Sequence, residues 1–168
     1  HSQEAQTFFR REPAAVRNLA SGDRKMLGPY EIMGELGRGA MGVVYLGFDP
    51  GMQRKVAIKT LHYDQFDPIE LVSMKERFLA EAKAVGQLRH NNIVTMHELK
   101  EEKDIAYIAM EYVAGKSLAS YTSKDKLLPV GMVYWIMAEV ADALAYAHAA
   151  GIVHRDVKPS NILYDENS

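Results

Sequence analysis

Cysteine is absent from this 168-residue chain, so neither a disulfide nor a thiolate metal site can hold it together. An excess of one charge is also lacking. Lys+Arg 20 against Asp+Glu 22 leaves a formal net charge of -2, which gives no reason to expect nucleic acid or an acidic membrane surface as the main partner. No apolar run approaches the roughly 18 residues that span a bilayer, and no signal-peptide pattern is visible, so no membrane segment is expected in this chain. Internal repeats and low-complexity tracts are missing as well. What remains is a length that suits one domain with a real core, burying roughly 68–70% of its unfolded surface.

Residues 1–28 mix charged, polar and small residues around Phe8 and Phe9 and read as a linker or loosely helical extension. From Tyr30 the pattern turns β-like through Ile32, Leu36, Val43–Leu46 and Val56–Ile58, with Asp49-Pro50-Gly51 as a turn. Three short antiparallel strands follow from it. Residues 69–88 switch to helical spacing, with Leu71, Met74, Phe78, Ala82 and Val85 near one face. Two strands are expected at 93–99 and 105–112. Pro129 then opens a helix whose apolar residues Val133, Ile136, Met137, Val140 and Leu144 keep the three-and-four rhythm until Gly151. Strands, one helix, more strands, then helices make an α+β architecture of two lobes.

Four stretches carry chemistry. Gly37-Arg38-Gly39-Ala40-Met41-Gly42-Val43-Val44 fits G-x-G-x-x-G-x-V between two expected strands, where glycines let backbone approach phosphates. By itself it also fits a plain hairpin turn; a dinucleotide site would need a helix directly after it, and a β-branched stretch follows instead. Val56-Ala57-Ile58-Lys59 places a Lys at the end of an apolar strand, where it either meets an anion or snorkels to water. Ile105–Met110, running into Glu111-Tyr112-Val113-Ala114-Gly115, is a strand with a Gly-marked connector, locally indistinguishable from any core strand and loop. Most specific is His154-Arg155-Asp156-Val157-Lys158-Pro159-Ser160-Asn161. A carboxylate there can orient a hydroxyl and take its proton, a carboxamide oxygen can bind Mg²⁺, and a Lys between them can neutralise phosphoryl charge.

Together these motifs resemble the eukaryotic-like, or Hanks-type, protein Ser/Thr kinases, in their bacterial style. The resemblance implies a protein-kinase-like fold over 29–168, with a β-rich N-terminal lobe over about 29–113 and the start of a C-terminal lobe over about 114–168. It implies ATP and Mg²⁺ as cofactors and protein Ser/Thr hydroxyls as acceptors. On it, Lys59 pairs with the α- and β-phosphates and with Glu81, chosen over Glu70 and Glu76 because a small residue follows it and Val85 lies four on. Leu36, Val44, Ala57 and Leu163 sandwich adenine, Met110 is the gatekeeper, and the backbones of Glu111 and Val113 bind the base. Gly37, Arg38, Gly39, Ala40, Met41 and Gly42 cover the phosphates. Asp156 is the base and orienter, Lys158 the γ-phosphate neutraliser and Asn161 a Mg²⁺ ligand, while His154 serves packing. Lys158 two residues after the Asp resembles Ser/Thr rather than Tyr kinases, and the Lys158-Pro159 pair separates the chain from small-molecule phosphotransferases with a His-x-Asp loop.

The resemblance covers roughly 29–165. Asp-Phe-Gly, the activation segment and the later C-lobe helices do not appear in this sequence, so the alternative reading is a nucleotide-binding regulatory fragment without turnover. Asn91 stands where Pro is usual, and Ser160 where relatives preferring basic substrates carry Glu. With no further lobe, the apolar face of the 130–150 helix is expected to need a second copy or a covering partner. A cytoplasmic location is expected, either for a free protein or for the cytoplasmic domain of a membrane-anchored parent.

Overall fold

The computed structural model describes residues 17–18, 25–39 and 42–165. Ala40 and Met41 of the glycine-rich motif therefore lie outside the described residues. The elements are β1 (Arg17–Asn18), β2 (Met26–Leu27), β3 (Tyr30–Gly39), β4 (Gly42–Asp49), β5 (Arg54–His62), α1 (Pro68–Gly86), β6 (Met96–Glu102), β7 (Ile105–Glu111), β8 (Lys116–Ser117), α2 (Val130–Ala149) and β9 (Leu163–Tyr164). They fall into two compact units. One takes in the described residues up to 87 together with 95–112, and the other takes in 88–94 and 113–165.

The strand-rich unit is one antiparallel sheet in the order β1-β3-β4-β5-β7-β6, with β2 also on β3. Two of its pairings thus come from within 1–28. Strand alternation sorts the side chains between two faces. Tyr30, Val56, Ile58, Tyr107 and Ala109 form a buried cluster on one face, with Leu27, Ile32 and Tyr45 packed against it. Its ends are joined where the Tyr30 hydroxyl donates to Glu98 Oε2 at 2.8 Å, linking β3 to β6 across a sheet in which they are not neighbours. Burial, helped by that carboxylate, raises the Tyr30 phenol far above its ordinary range.

Helix α1 starts cleanly because Asp67 caps it, accepting from the amides of Ile69 and Glu70 at 2.9 Å, with Pro68 in its first turn. Of the expected apolar face, Phe78 and Ala82 are buried, and Leu71, Met74 and Val85 are partly so. Lys75 pairs with Glu101 of β6 and sits 5.1 Å from the Tyr63 ring centroid, which holds the middle of α1 to the sheet.

In the second unit, α2 ends in a Schellman motif. The amide of Ile152 donates to Ala147 O and that of Gly151 to His148 O, both at 2.9 Å, and Gly151 takes the left-handed φ of +78° that the motif needs. Loop 88–94 belongs to this unit through its bonds to α2: Asn92 Nδ2 donates to Glu139 Oε2 at 2.6 Å, and the His90 ring meets Asp142 Oδ2 at 3.0 Å and the Tyr146 ring. The buried stripe of α2 is Ile136, Ala143 and Ala147. Val140 and Leu144 are half-buried, but Val133 and Met137 are exposed, as are Tyr134 and Trp135. By length and composition alone, α2 is apolar enough to cross a membrane. Its two carboxylates, however, are both tied to loop 88–94.

Candidate active site

Lys59 lies inside β5 rather than at its end, because Thr60 and Leu61, both fully buried, carry the strand on to His62. In register, Lys59 faces Val44 on β4 and Ile108 on β7, while Ala57 faces Leu46 and Met110. Residues two apart on a strand share a face, so Val44, Leu46, Ala57, Lys59, Ile108 and Met110 all stand on the side of the sheet opposite the tyrosine cluster. Four of these six are sequence-expected site residues. Leu46 and Ile108 were missed, and only register brings them in.

A lysine on this face is in an expensive place. Burial pushes the Lys59 ammonium below the ordinary lysine range; Glu81 raises it again, and Arg77 lowers it. Lys59 Nζ stands 3.9 Å from Glu81 Oε2, an ion pair too long to be a hydrogen bond, and 5.8 Å from the centroid of the Phe78 ring. Glu81 is shared, because Arg77 Nε one helical turn earlier reaches its Oε1 at 3.4 Å. The structure thus selects Glu81 from the three glutamates on α1. It adds Arg77, which the motif reading had passed over. Buried Arg77 Nη2 and Glu81 Oε2 make no hydrogen bond among the described residues.

The glycine-rich motif spans the β3–β4 hairpin. Gly37 pairs with Val44, Arg38 with Val43 and Gly39 with Gly42, and the register slips between Glu35 and Gly37, which puts Leu36 in the irregular stretch. Arg38 is exposed and forked onto Glu35, with nitrogen–oxygen distances of 3.0 and 3.3 Å. At the other end of the sheet the amide of Glu111 is committed to Thr95 O at 2.8 Å, and Glu111 Oε2 accepts from the Thr95 amide at 3.1 Å.

The second unit holds the other group of residues. Its loop turns at Arg155, a non-glycine residue in the left-handed region at φ +62°, a conformation that persists only where neighbours enforce it. His154 supplies part of that enforcement: its Nδ1 accepts from the Asp156 amide at 3.2 Å, and burial lowers its pKa, which favours the neutral ring that can accept. Asp156 Oδ2 is 2.8 Å from Lys158 Nζ. Asn161 Nδ2 donates to Asp156 O at 2.7 Å and to Asp156 Oδ2 at 3.1 Å. The donor end of the carboxamide is therefore turned to Asp156, and the acceptor end, the one a cation needs, is turned away. Leu163 pairs with Ser117 across β8 and β9, with Leu118 N donating to Ile162 O at 2.9 Å beside them, and Val113 is half-buried at the start of this unit.

Among the described residues, no group of three or more His, Cys, Asp or Glu side chains could hold a metal by itself. The Asn161 carboxamide oxygen would by itself suit Mg²⁺, which commonly takes one or two protein ligands and completes its shell with phosphate oxygens and water.

Comparison with known proteins puts these two groups of residues in context. Residues 30–168 match the protein kinase domain family. The chain is 42% identical to the serine/threonine-protein kinase PrkC of Bacillus subtilis over 142 residues, covering 84% of this chain and 22% of that protein. It is 41% identical to the serine/threonine-protein kinase Pkn1 of Myxococcus xanthus over 80% of this chain and 19% of that one. The crystal structure of the Mycobacterium tuberculosis PknI kinase domain superposes with a TM-score of 0.71 at 33% identity, covering 89% of this chain and 60% of that domain. The chain thus spans about a fifth of these two curated relatives, and it belongs to the protein kinase domain family, in its bacterial Hanks-type form.

Proposed function

We propose that this chain carries the nucleotide-holding and phosphotransfer residues of an ATP- and Mg²⁺-dependent protein serine/threonine kinase. The observation that carries this reading is the Asp156–Lys158–Asn161 cluster. Asp156 accepts two side-chain partners yet keeps about a quarter of its side chain in solvent, 23%, so an incoming hydroxyl can reach it. Asp156 orients that hydroxyl and takes its proton, and Lys158 offsets negative charge as the phosphoryl group moves. Asn161 presents its carboxamide oxygen to Mg²⁺, which when bound neutralises phosphate charge. In the strand unit, Lys59 offers a desolvated ammonium to the α- and β-phosphates, and Glu81 keeps it in place. Val44, Ala57 and Met110 of the same unit offer apolar surface to adenine, and the glycine-rich hairpin offers backbone to phosphate oxygens.

The alternative reading is a regulatory one, in which the chain binds nucleotide without turning it over. Incubation with radiolabelled ATP, Mg²⁺ and a general protein acceptor separates the two. Label recovered as phosphoserine or phosphothreonine is the expected result for the protein carrying this sequence. Nucleotide binding with no transfer supports the regulatory reading, and no binding at all removes both.

The exposed apolar residues of α2 belong to the same proposal. Val133, Tyr134, Trp135 and Met137 are all more than 40% exposed, and each large apolar side chain left wet forgoes roughly 1.5–3 kcal/mol. We take this face to be covered by further protein of the same domain, since the chain spans 60% of the solved relative's domain. The 168-residue chain alone is accordingly expected to self-associate or to melt without cooperativity. Sedimentation and thermal melting check this: a monomer melting cooperatively above about 55 °C, well within the range of ordinary mesophile domains, would show that the face needs no cover.

A further inference from the structure

We propose that Thr60 is a positioning residue that anchors the glycine-rich hairpin to the lysine strand. Its hydroxyl donates to Val43 O at 2.8 Å and accepts from the Val43 amide at 3.3 Å, so one side chain satisfies both backbone polar groups of that residue. Thr60 is fully buried, and no water competes for either bond. The side-chain route is needed because the β4–β5 ladder ends at the pair Val44–Lys59. Beyond that pair the strand β4 comes close to β5 at its first glycine. Gly42 lies at φ +151°, and a Cβ there would fall 2.1 Å from Thr60 O.

Thr60 thereby prolongs the strand pairing by one residue, up to the last glycine of the motif. The fixed point lies directly between two functional parts, since Thr60 follows Lys59 and Val43 follows Gly42. Losing the hydroxyl leaves two buried backbone groups unsatisfied and frees the base of the hairpin, whereas Lys59 itself keeps its register with Ile108. The consequence expected is weaker nucleotide binding with the lysine still in place.

The inference rests on the kinase reading, and the test keeps the two apart. In the protein carrying this sequence, Thr60→Val has nearly the same shape but no hydroxyl, Thr60→Ser keeps the hydroxyl, and Tyr30→Phe removes the Tyr30–Glu98 bond at a distant part of the sheet. Amide hydrogen exchange at Val43 and affinity for Mg·ATP are measured for all four proteins. Thr60→Val is expected to speed Val43 exchange about tenfold and to weaken Mg·ATP about tenfold, the factor that one buried hydrogen bond typically carries. Thr60→Ser should restore most of both, and Tyr30→Phe should lower the melting temperature without changing the nucleotide affinity. Unchanged Val43 exchange in Thr60→Val overturns the anchor. An equal loss of affinity in Tyr30→Phe reduces Thr60 to general stability and overturns it too. A wild-type chain that binds no Mg·ATP overturns the kinase reading and the nucleotide consequence together, while the exchange comparison still decides whether the hydroxyl holds the hairpin.

Discussion

Asp156→Asn in the protein carrying this sequence should leave ATP affinity within a few-fold of wild type while lowering the single-turnover phosphotransfer rate by about 10²–10⁴-fold, the usual contribution of a positioned general base. A carboxamide can still accept hydrogen bonds from a hydroxyl, from Lys158 and from Asn161, so the loop keeps most of its geometry. It cannot take the proton. The ion pair with Lys158 is partly solvated, and its loss costs little stability. The substitution therefore isolates proton acceptance from binding and folding, and in kinetic terms it removes an interaction made chiefly in the transition state. Calorimetric titration with ATP alongside rapid-quench measurement decides the matter. Lost ATP binding with unchanged chemistry would exchange the roles given to Asp156 and to the strand unit.

The legible part of this protein was its motifs and its long periodic elements. Helices α1 and α2 lie within a few residues of their expected spans, because the Asp67 cap, Pro68, Pro129 and Gly151 mark helix ends in ways that depend only on local chain chemistry. Asp156 contacts both Lys158 and Asn161 within this loop. Tertiary packing hid the rest. Lys59 was expected at the end of its strand, yet the hydroxyl of the following Thr60 is satisfied by Val43 and the strand continues. Arg77 belongs to no motif, and nothing in the sequence says that it shares Glu81 with a lysine from another element. His154, expected to serve packing, also accepts a backbone amide, a bond that depends on the left-handed turn at Arg155. Strands β1 and β2 were lost in a polar stretch because two-residue pairings carry no periodicity.

Lys59→Met should lower kcat/KM for phosphotransfer by about 10²–10³-fold, the usual cost of removing one preorganised charge-stabilising donor, with little loss of stability. The second half of that expectation follows from the surroundings. The ammonium is desolvated, and its ion pair with Glu81 is long at 3.9 Å. An apolar side chain of similar length thus removes a burial penalty about as large as the attraction it forfeits. What makes the substitution tolerable is Arg77: removing one member of a buried pair normally strands the other, but Glu81 keeps the guanidinium at 3.4 Å. Lys59→Met with Arg77→Met should accordingly be much less stable than either single variant predicts, because the Glu81 carboxylate is then left without a cation. Thermal melting of the two singles and the double gives the coupling, and a radiolabelled-ATP assay gives the activity. Wild-type turnover by Lys59→Met would take Lys59 out of the mechanism. Additive stabilities would show that Arg77 is not what holds Glu81 in its place.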